Sequence, residues 1–223
     1  MILRFMIQTG IQKLDDLLGG GIKHSIITDI FGASGTGKTQ LVLQICVNAL
    51  RNGVEILYQD TTSGFRPERL LSIIESQNLN PKLLDNVRVG RITNISEQIL
   101  YLDKISEIKN LGLVVVDNVT DLFSFEYSKE SNMLEKHIVF MKYMHDLAFI
   151  AVQKQIPVIV TNIVRKSNDD EKENLERSIS MYTHQKIHLT KINHKHMARI
   201  LPSFGFKKEV SYMITQEGLK DSS

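Results

Sequence analysis

Gly32-Ala33-Ser34-Gly35-Thr36-Gly37-Lys38-Thr39 is the stretch on which the reading of this chain turns. It satisfies the phosphate-loop pattern G-x-x-x-x-G-K-[ST] at every fixed position. The β-branched run Ile26-Ile27-Thr28-Asp29-Ile30-Phe31 before it predicts a strand. Behind it, Thr39 to Leu50 places Leu41, Ile45, Ala49 and Leu50 on one helical face. Glycines in such a loop let successive backbone N–H groups curl around phosphate oxygens, and the helix N-terminus adds partial positive charge. Lys38 is placed to reach the β- and γ-phosphates, and the Thr39 hydroxyl to ligate Mg²⁺. The alternative is a glycine-rich turn that binds nothing, and the flanking strand and helix weigh against it. The sequence predicts a nucleoside triphosphate site.

The remaining totals are those of an ordinary folded domain. The chain has 223 residues, 42% hydrophobic and 23% charged, with a formal net charge of +2. That length supports one α/β domain with its own core, and the charge is too small to argue for nucleic acid by itself. The single cysteine, Cys46, excludes an internal disulfide and reads as a core thiol. No apolar run approaches a membrane span, and Met1-Ile2-Leu3-Arg4-Phe5 lacks signal-peptide architecture, so an intracellular, cytoplasmic protein without a membrane partner is expected.

Upstream of the loop, Leu14, Leu17 and Leu18 share a helical face that Gly19-Gly20-Gly21 terminates. Downstream, Val54 to Tyr58 predicts a strand entering Gln59-Asp60-Thr61-Thr62-Ser63-Gly64. Pro67 suits the first turn of a helix running to about Gln77. Val87-Arg88-Val89 predicts a short strand, Ser96 to Ile108 a helix, and Leu111 to Asp117 a buried strand. A long helix from about Met133 to Val152 precedes another buried strand, Pro157 to Asn162. This alternation predicts a mostly parallel sheet covered on both faces. The tail differs: Lys186 to Thr190 and Ala198 to Leu201 suggest an antiparallel hairpin, with Val210 to Ile214 as a third strand. The polar run 166–177 is the best candidate for a mobile loop.

Asp117 ends its apolar strand some eighty residues after the phosphate loop. A carboxylate at that strand end lies beside the loop, where it can hold Mg²⁺ through water.

The order of segments then resembles the RecA/RadA recombinase superfamily, most closely its short archaeal RadB-type and other RadA-like paralogues. The resemblance covers about residues 9–218. It rests on Thr9-Gly10-Ile11 with Leu14-Asp15 and Leu18-Gly19-Gly20-Gly21-Ile22, on Gly35-Thr36-Gly37-Lys38-Thr39-Gln40-Leu41, and on Phe65-Arg66-Pro67-Glu68-Arg69-Leu70. Val116-Asp117 and Val160-Thr161-Asn162 add to these. The resemblance implies a RecA-like α/β phosphate-loop core with a predominantly parallel central sheet and antiparallel C-terminal strands. It implies ATP and Mg²⁺ as cofactors, held by Gly32, Ala33, Ser34, Gly35, Thr36, Gly37, Lys38, Thr39 and Gln40, with Arg69 against the adenine and Thr39 and Asp117 at the metal. A single domain is expected: a lead and cap helix over 1–24, the phosphate-loop core over 25–165, a mobile DNA-loop equivalent over 166–180 and a β extension over 181–218. The helical DNA-binding domain that precedes the core in full-length members is not expected. Phe5-Met6-Ile7-Gln8 lacks the Ala of the family's Phe-x-x-Ala subunit tether and reads as core packing.

The departures are informative. Active members carry Asp-Thr-Glu-Gly after the second strand, and the Glu activates water; here Thr62 stands at that position. A hydroxyl cannot act as a base near neutral pH, and losing a general base costs ~10²–10⁴-fold in rate. The family's γ-phosphate-sensing Gln after Thr-Asn is replaced by Ile163. The first DNA loop, Phe125 to Asn132, has no excess of bases over acids. The second, about Val164 to Arg177, sets Arg165, Lys166, Lys172 and Arg177 against Asp169, Asp170, Glu171, Glu173 and Glu176, and lacks the family's glycine pair. ATP binding with slow hydrolysis, and weak binding to single-stranded DNA, are therefore expected.

From His184 to Lys208 there is no Asp or Glu, while Lys186, Lys191, Lys195, Arg199, Lys207 and Lys208 are present. These are candidates for contact with DNA or a protein partner, against a solvated hairpin face. His194-Lys195-His196 reads as surface histidine more readily than as metal ligand. The expected role is an ATP-binding recombinase paralogue, an accessory factor in recombination and DNA repair that docks on a recombinase or sister paralogue. The alternatives are an active DNA-dependent strand-exchange ATPase, a KaiC-like signalling ATPase, and a structural subunit that keeps the loop without needing ATP.

Overall fold

The computed structural model describes residues 6–167, 170–201 and 209–222. The first half of the chain runs α1 (Gln12–Leu18), β1 (Ile27–Gly32), α2 (Lys38–Leu50), β2 (Glu55–Asp60), α3 (Pro67–Ser76) and β3 (Val87–Arg91). It continues through α4 (Ile95–Leu100), α5 (Lys104–Glu107), β4 (Leu111–Asp117), α6 (Asp121–Glu126) and α7 (Met133–Lys154). The last third is β5 (Val158–Ser167), β6 (Asp170–Glu173), α8 (Glu176–Ile179), β7 (Thr183–Ile192), β8 (Lys195–Leu201), β9 (Glu209–Thr215) and β10 (Gly218–Asp221).

Among the described residues the strands form one sheet in the order β10-β9-β8-β7-β1-β5-β4-β2-β3, with β6 paired to the far end of β5. From β3 across to β7 every neighbour is parallel, and β8, β9 and β10 extend the sheet antiparallel. The sequence dictates this layering. Alternate strand residues point to opposite faces, and along β4 Leu113 and Val115 enter one core while Val114 and Val116 enter the other. A strand apolar on both faces must be covered on both. One face carries α1, α2 and α3, through Leu14, Leu41, Ile45, Leu70 and Ile73. The opposite face carries α4 to α8, through Ile95, Ile105, Phe123, Phe140, Leu147 and Ile179.

α2 is more deeply buried than its predicted single face, since Val42, Leu43, Cys46 and Val47 are also inside. It lies between the sheet, α3 and β10, so little of its circumference meets water. The helix expected over Ser96–Ile108 is two short helices separated by a 3₁₀ turn at Tyr101–Asp103. Three residues per turn eclipse positions i and i+3, which sends Leu102 and Ile105 into the same core. The turn also lays Tyr101 flat on β3: a Cβ at Gly90 would sit 2.3 Å from the Tyr101 ring, so only glycine permits this approach.

The run expected as a loop over 166–180 is instead ordered backbone wherever it is described. β5 continues to Ser167 and pairs with β6 from Val164↔Glu173 to Ser167↔Asp170, and α8 follows. Its polar composition hid an anchor, because Glu173 turns inward to Asn162 and Lys186. Asp169 lies outside the described residues. Strand β10 was not anticipated; it closes the extension against α1 and α2. Among the described residues no helix is long and apolar enough to cross a membrane.

Candidate nucleotide site

The site forms where β1, β2 and β4 end beside β5, the edge at which parallel α/β sheets place ligands. β1 ends at Gly32, and Gly37 caps α2 with φ 92°. Gly32, Gly35 and Gly37 all have positive φ, a region that side chains other than glycine's rarely occupy. At Gly32 a Cβ would also meet the Leu189 carbonyl at 2.1 Å, whereas at Gly35 it would meet nothing. The loop is thus pinned at its start and open at its crest.

Lys38 Nζ donates to the carbonyls of Gly32 and Ala33, each at 2.9 Å, and Thr36 Oγ1 donates to the same Ala33 carbonyl. Burial pushes the Lys38 pKa down, while the negative charges of Asp117 and Asp121 oppose that shift. An ammonium folded onto carbonyls with no carboxylate hydrogen-bonded to it is available to an incoming anion. At the other side of the loop, Thr39 Oγ1 donates to Asp117 Oδ2 at 2.8 Å. Tyr58 Oη donates to the same oxygen at 2.8 Å, and Thr161 Oγ1 donates to Asp117 Oδ1. Asp117 is 4% exposed. Three hydroxyls from α2, β2 and β5 therefore fix this carboxylate beside the phosphate loop.

Thr39 and Asp117 are hard oxygen donors in contact, which suits Mg²⁺, an ion that commonly takes one or two protein ligands and leaves other positions to phosphate and water. Among the described residues no group of three His, Cys, Asp or Glu side chains could hold a metal unaided.

Gln40 and Arg69 are brought together. Arg69 Nε donates to Gln40 Oε1 at 2.7 Å, and its guanidinium also donates to the carbonyls of Thr215 and Gln216. Arg69 thus ties α2 to the β9–β10 turn. Gln40 Nε2 is buried without an acceptor.

The positions expected from the sequence to bear on hydrolysis are differently built. Thr62 is exposed. Its backbone N–H and hydroxyl both donate to Asp60 Oδ1, at 3.2 and 3.3 Å. Asp60 also accepts from the N–H groups of Gly64 and Phe65, each at 3.0 Å. A carboxylate engaged by four donors anchors the loop. Ile163 sits on β5 in register with Gly32 and offers the site no polar atom. Its neighbour Asn162 accepts from Thr120 Oγ1 at 2.7 Å, and donates to Glu173 Oε1 and the Asn174 carbonyl, each at 2.8 Å.

The basic positions separate. Lys186 is a core residue: its side chain is 12% exposed, its Nζ lies 3.4 Å from Asp29, and it donates to Glu173 and Ser180. Arg199 pairs with Glu209 across β8 and β9 at 2.9 Å. Lys191 and Lys195 are exposed, and Lys207 and Lys208 lie outside the described residues. Asp29, Asp121, Glu173 and Tyr212 were not singled out from the sequence. A charged residue inside the apolar run Ile26–Phe31 was a signal for Asp29; Glu173 and Tyr212 had none.

A family model described as Rad51 matches residues 3–222. The chain belongs to the Rad51 family. This places it in the RecA/RadA recombinase superfamily, with the α/β architecture just described. It is 38% identical over 174 residues to the "DNA repair and recombination protein RadA" of Cenarchaeum symbiosum (strain A), covering 74% of this chain and 44% of that protein. It is 37% identical over 174 residues to the protein of the same name from Metallosphaera sedula, covering 73% of this chain and 54% of that one. The matched part thus spans about half the length of these relatives.

Proposed function

We propose that this Rad51-family chain binds Mg·ATP and hydrolyses it slowly, acting as an accessory recombinase paralogue in homologous recombination and DNA repair. The observation that carries the proposal is a built phosphate and metal corner beside an unequipped hydrolytic one. Lys38, the Thr39–Asp117 contact and the open glycine crest suit a triphosphate. Gly32 to Gln40 would wrap the phosphates, with Arg69 on the base side, and Thr39 and Asp117 would hold the metal. Mg²⁺ bound there would offset charge on the phosphate oxygens. The strand-end carboxylate beside Thr62, Asp60, is committed to four loop donors, and Thr62 supplies only a hydroxyl.

Nucleotide would then act chiefly as a stabilising ligand of the folded, docked state, by mass action. The proposed partner is a recombinase or a sister paralogue in a hetero-oligomer. Single-stranded DNA would bind weakly: Lys186 and Arg199 are neutralised within the fold, leaving few free cations for phosphates. The proposed location is the cytoplasm.

The test is Mg·ATP binding and single-turnover hydrolysis, with and without single-stranded DNA, for the wild type and Thr62→Glu. Binding is expected in both, with hydrolysis at least ~100-fold faster in the variant, the lower end of a general base's contribution. Brisk DNA-stimulated turnover by the wild type would refute slow hydrolysis.

A further inference from the structure

One peptide carbonyl on the outer side of the phosphate loop is held by the C-terminal extension. Tyr212 Oη, on β9, donates to the Thr36 carbonyl. His196, on β8 directly across from Tyr212, faces the Gly35 backbone, with the two rings 5.4 Å apart. In a trans peptide the C=O of one residue and the N–H of the next point in opposite directions. Fixing the Thr36 carbonyl toward β9 therefore turns the N–H of Gly37 the other way. That N–H has no protein acceptor among the described residues. An unpaired amide at a half-buried position is costly unless an anion or water completes it.

We propose that Tyr212, with the His196 ring packed against it, is a positioning residue for nucleotide binding: it clamps the Thr36 carbonyl so that the Gly37 amide is aimed at phosphate before it arrives. This rests on the nucleotide-site reading above and adds to it a part for the antiparallel extension. The clamp has an electrostatic side. Burial and the ammonium of Lys191, opposite on β7, hold the His196 imidazole below its ordinary pKa, and the Gly35 backbone opposes them. Tyr212, facing it from β9, stays neutral, because burial pushes its hydroxyl upward. Phosphate charge arriving on the loop favours the imidazolium. Binding therefore takes up a proton, and affinity rises as pH falls toward the pKa of the unliganded imidazole. A rise of about one pKa unit on binding makes the low-pH affinity about tenfold higher.

The experiment is calorimetric titration of Mg·ADP from pH 5.5 to 8.5 into the wild type, Tyr212→Phe and His196→Gln, with thermal unfolding and loop amide exchange measured without nucleotide. Tyr212→Phe is expected to weaken binding about fivefold, the loss of one hydrogen bond's orientation, and to speed exchange at residues 35–37. His196→Gln, at a half-buried site, is expected to remove the part of the pH dependence that the nucleotide's own titration does not supply. A purely structural role would lower unfolding temperature and leave affinity and its pH profile at wild-type values, and that result would overturn the clamp. Absence of binding by the wild type at every pH would overturn the nucleotide site itself and the clamp with it; wild-type binding with unaltered variants overturns the clamp alone.

Discussion

Replacing Lys186 by Met removes the ammonium between two buried carboxylates and keeps most of the apolar stem. Asp29 is 0% exposed, the Glu173 side chain 2% and the Lys186 side chain 12%. Both Asp29 oxygens lack a hydrogen bond, and the Lys186 ammonium at 3.4 Å is their counter-charge. Removing one partner of a buried ion pair costs about 3–5 kcal/mol, because the charge left behind is neither solvated nor paired. Here Glu173 is the charge left behind, so a loss within that range is expected, a fall of ~6–20 °C in unfolding temperature for a chain of this size.

The loss should depend on pH, and its sign follows from Asp29. Burial and then the neighbouring Glu173 charge raise its pKa well above the ordinary carboxylate value. The folded protein thus keeps a proton that the unfolded chain releases, so stability falls as pH rises from about 4 toward the raised value and then levels off. Without the ammonium, Glu173 joins this behaviour and the decline extends further. The gap between Lys186→Met and wild type should be widest at pH 8 and narrow toward pH 5. Adding Glu173→Gln to Lys186→Met should recover much of the loss, since it removes one stranded charge and leaves an acceptor for Asn162. Urea unfolding at pH 5 and pH 8 makes the comparison. A loss below about 1 kcal/mol, equal at both pH values and indifferent to Glu173→Gln, would refute the argument.

Leu14→Ala should destabilise by about 2–5 kcal/mol, as expected when a fully buried leucine leaves a cavity; urea unfolding measures it, and a loss below 1 kcal/mol would mean that α1 is not part of this core. Cys46 is buried in α2, and burial pushes its thiol well above the ordinary value. Native protein should therefore be inert to an aromatic disulfide reagent at pH 8 and react only at the rate of unfolding.

The parts of the fold legible in sequence were those whose cause is local. The phosphate loop is a run of eight residues, the strand into Asp117 is a continuous apolar run, and α7 is a long periodic segment with few breakers. Elements decided by distant contacts were not legible. β6 reads as a charged loop until Glu173 is placed against Asn162 and Lys186, and β10 is four residues whose justification is α2, where the Leu219 backbone meets both ends of the Gln44 amide. The break at Tyr101 depends on a glycine in β3, which no periodicity count within the helix could detect.

The same limit explains the misreading of charge. Between His184 and Lys208 the sequence contains no acid, and a count along the chain makes that segment a basic face. In the fold the acids come from elsewhere. Lys186 meets Asp29, from a strand 157 residues earlier, and Glu173, from the hairpin before it; Arg199 meets Glu209 on the next strand. A cation held between buried carboxylates is structural, and its desolvation is offset only while those partners stay in place. What separates a binding surface from a core is thus whether each cation's partner lies inside the chain, and parallel topology routinely supplies that partner from far away. By that criterion Lys191 and Lys195, exposed on β7 and β8, are the described cations of this segment still free to meet a phosphate or an acidic partner.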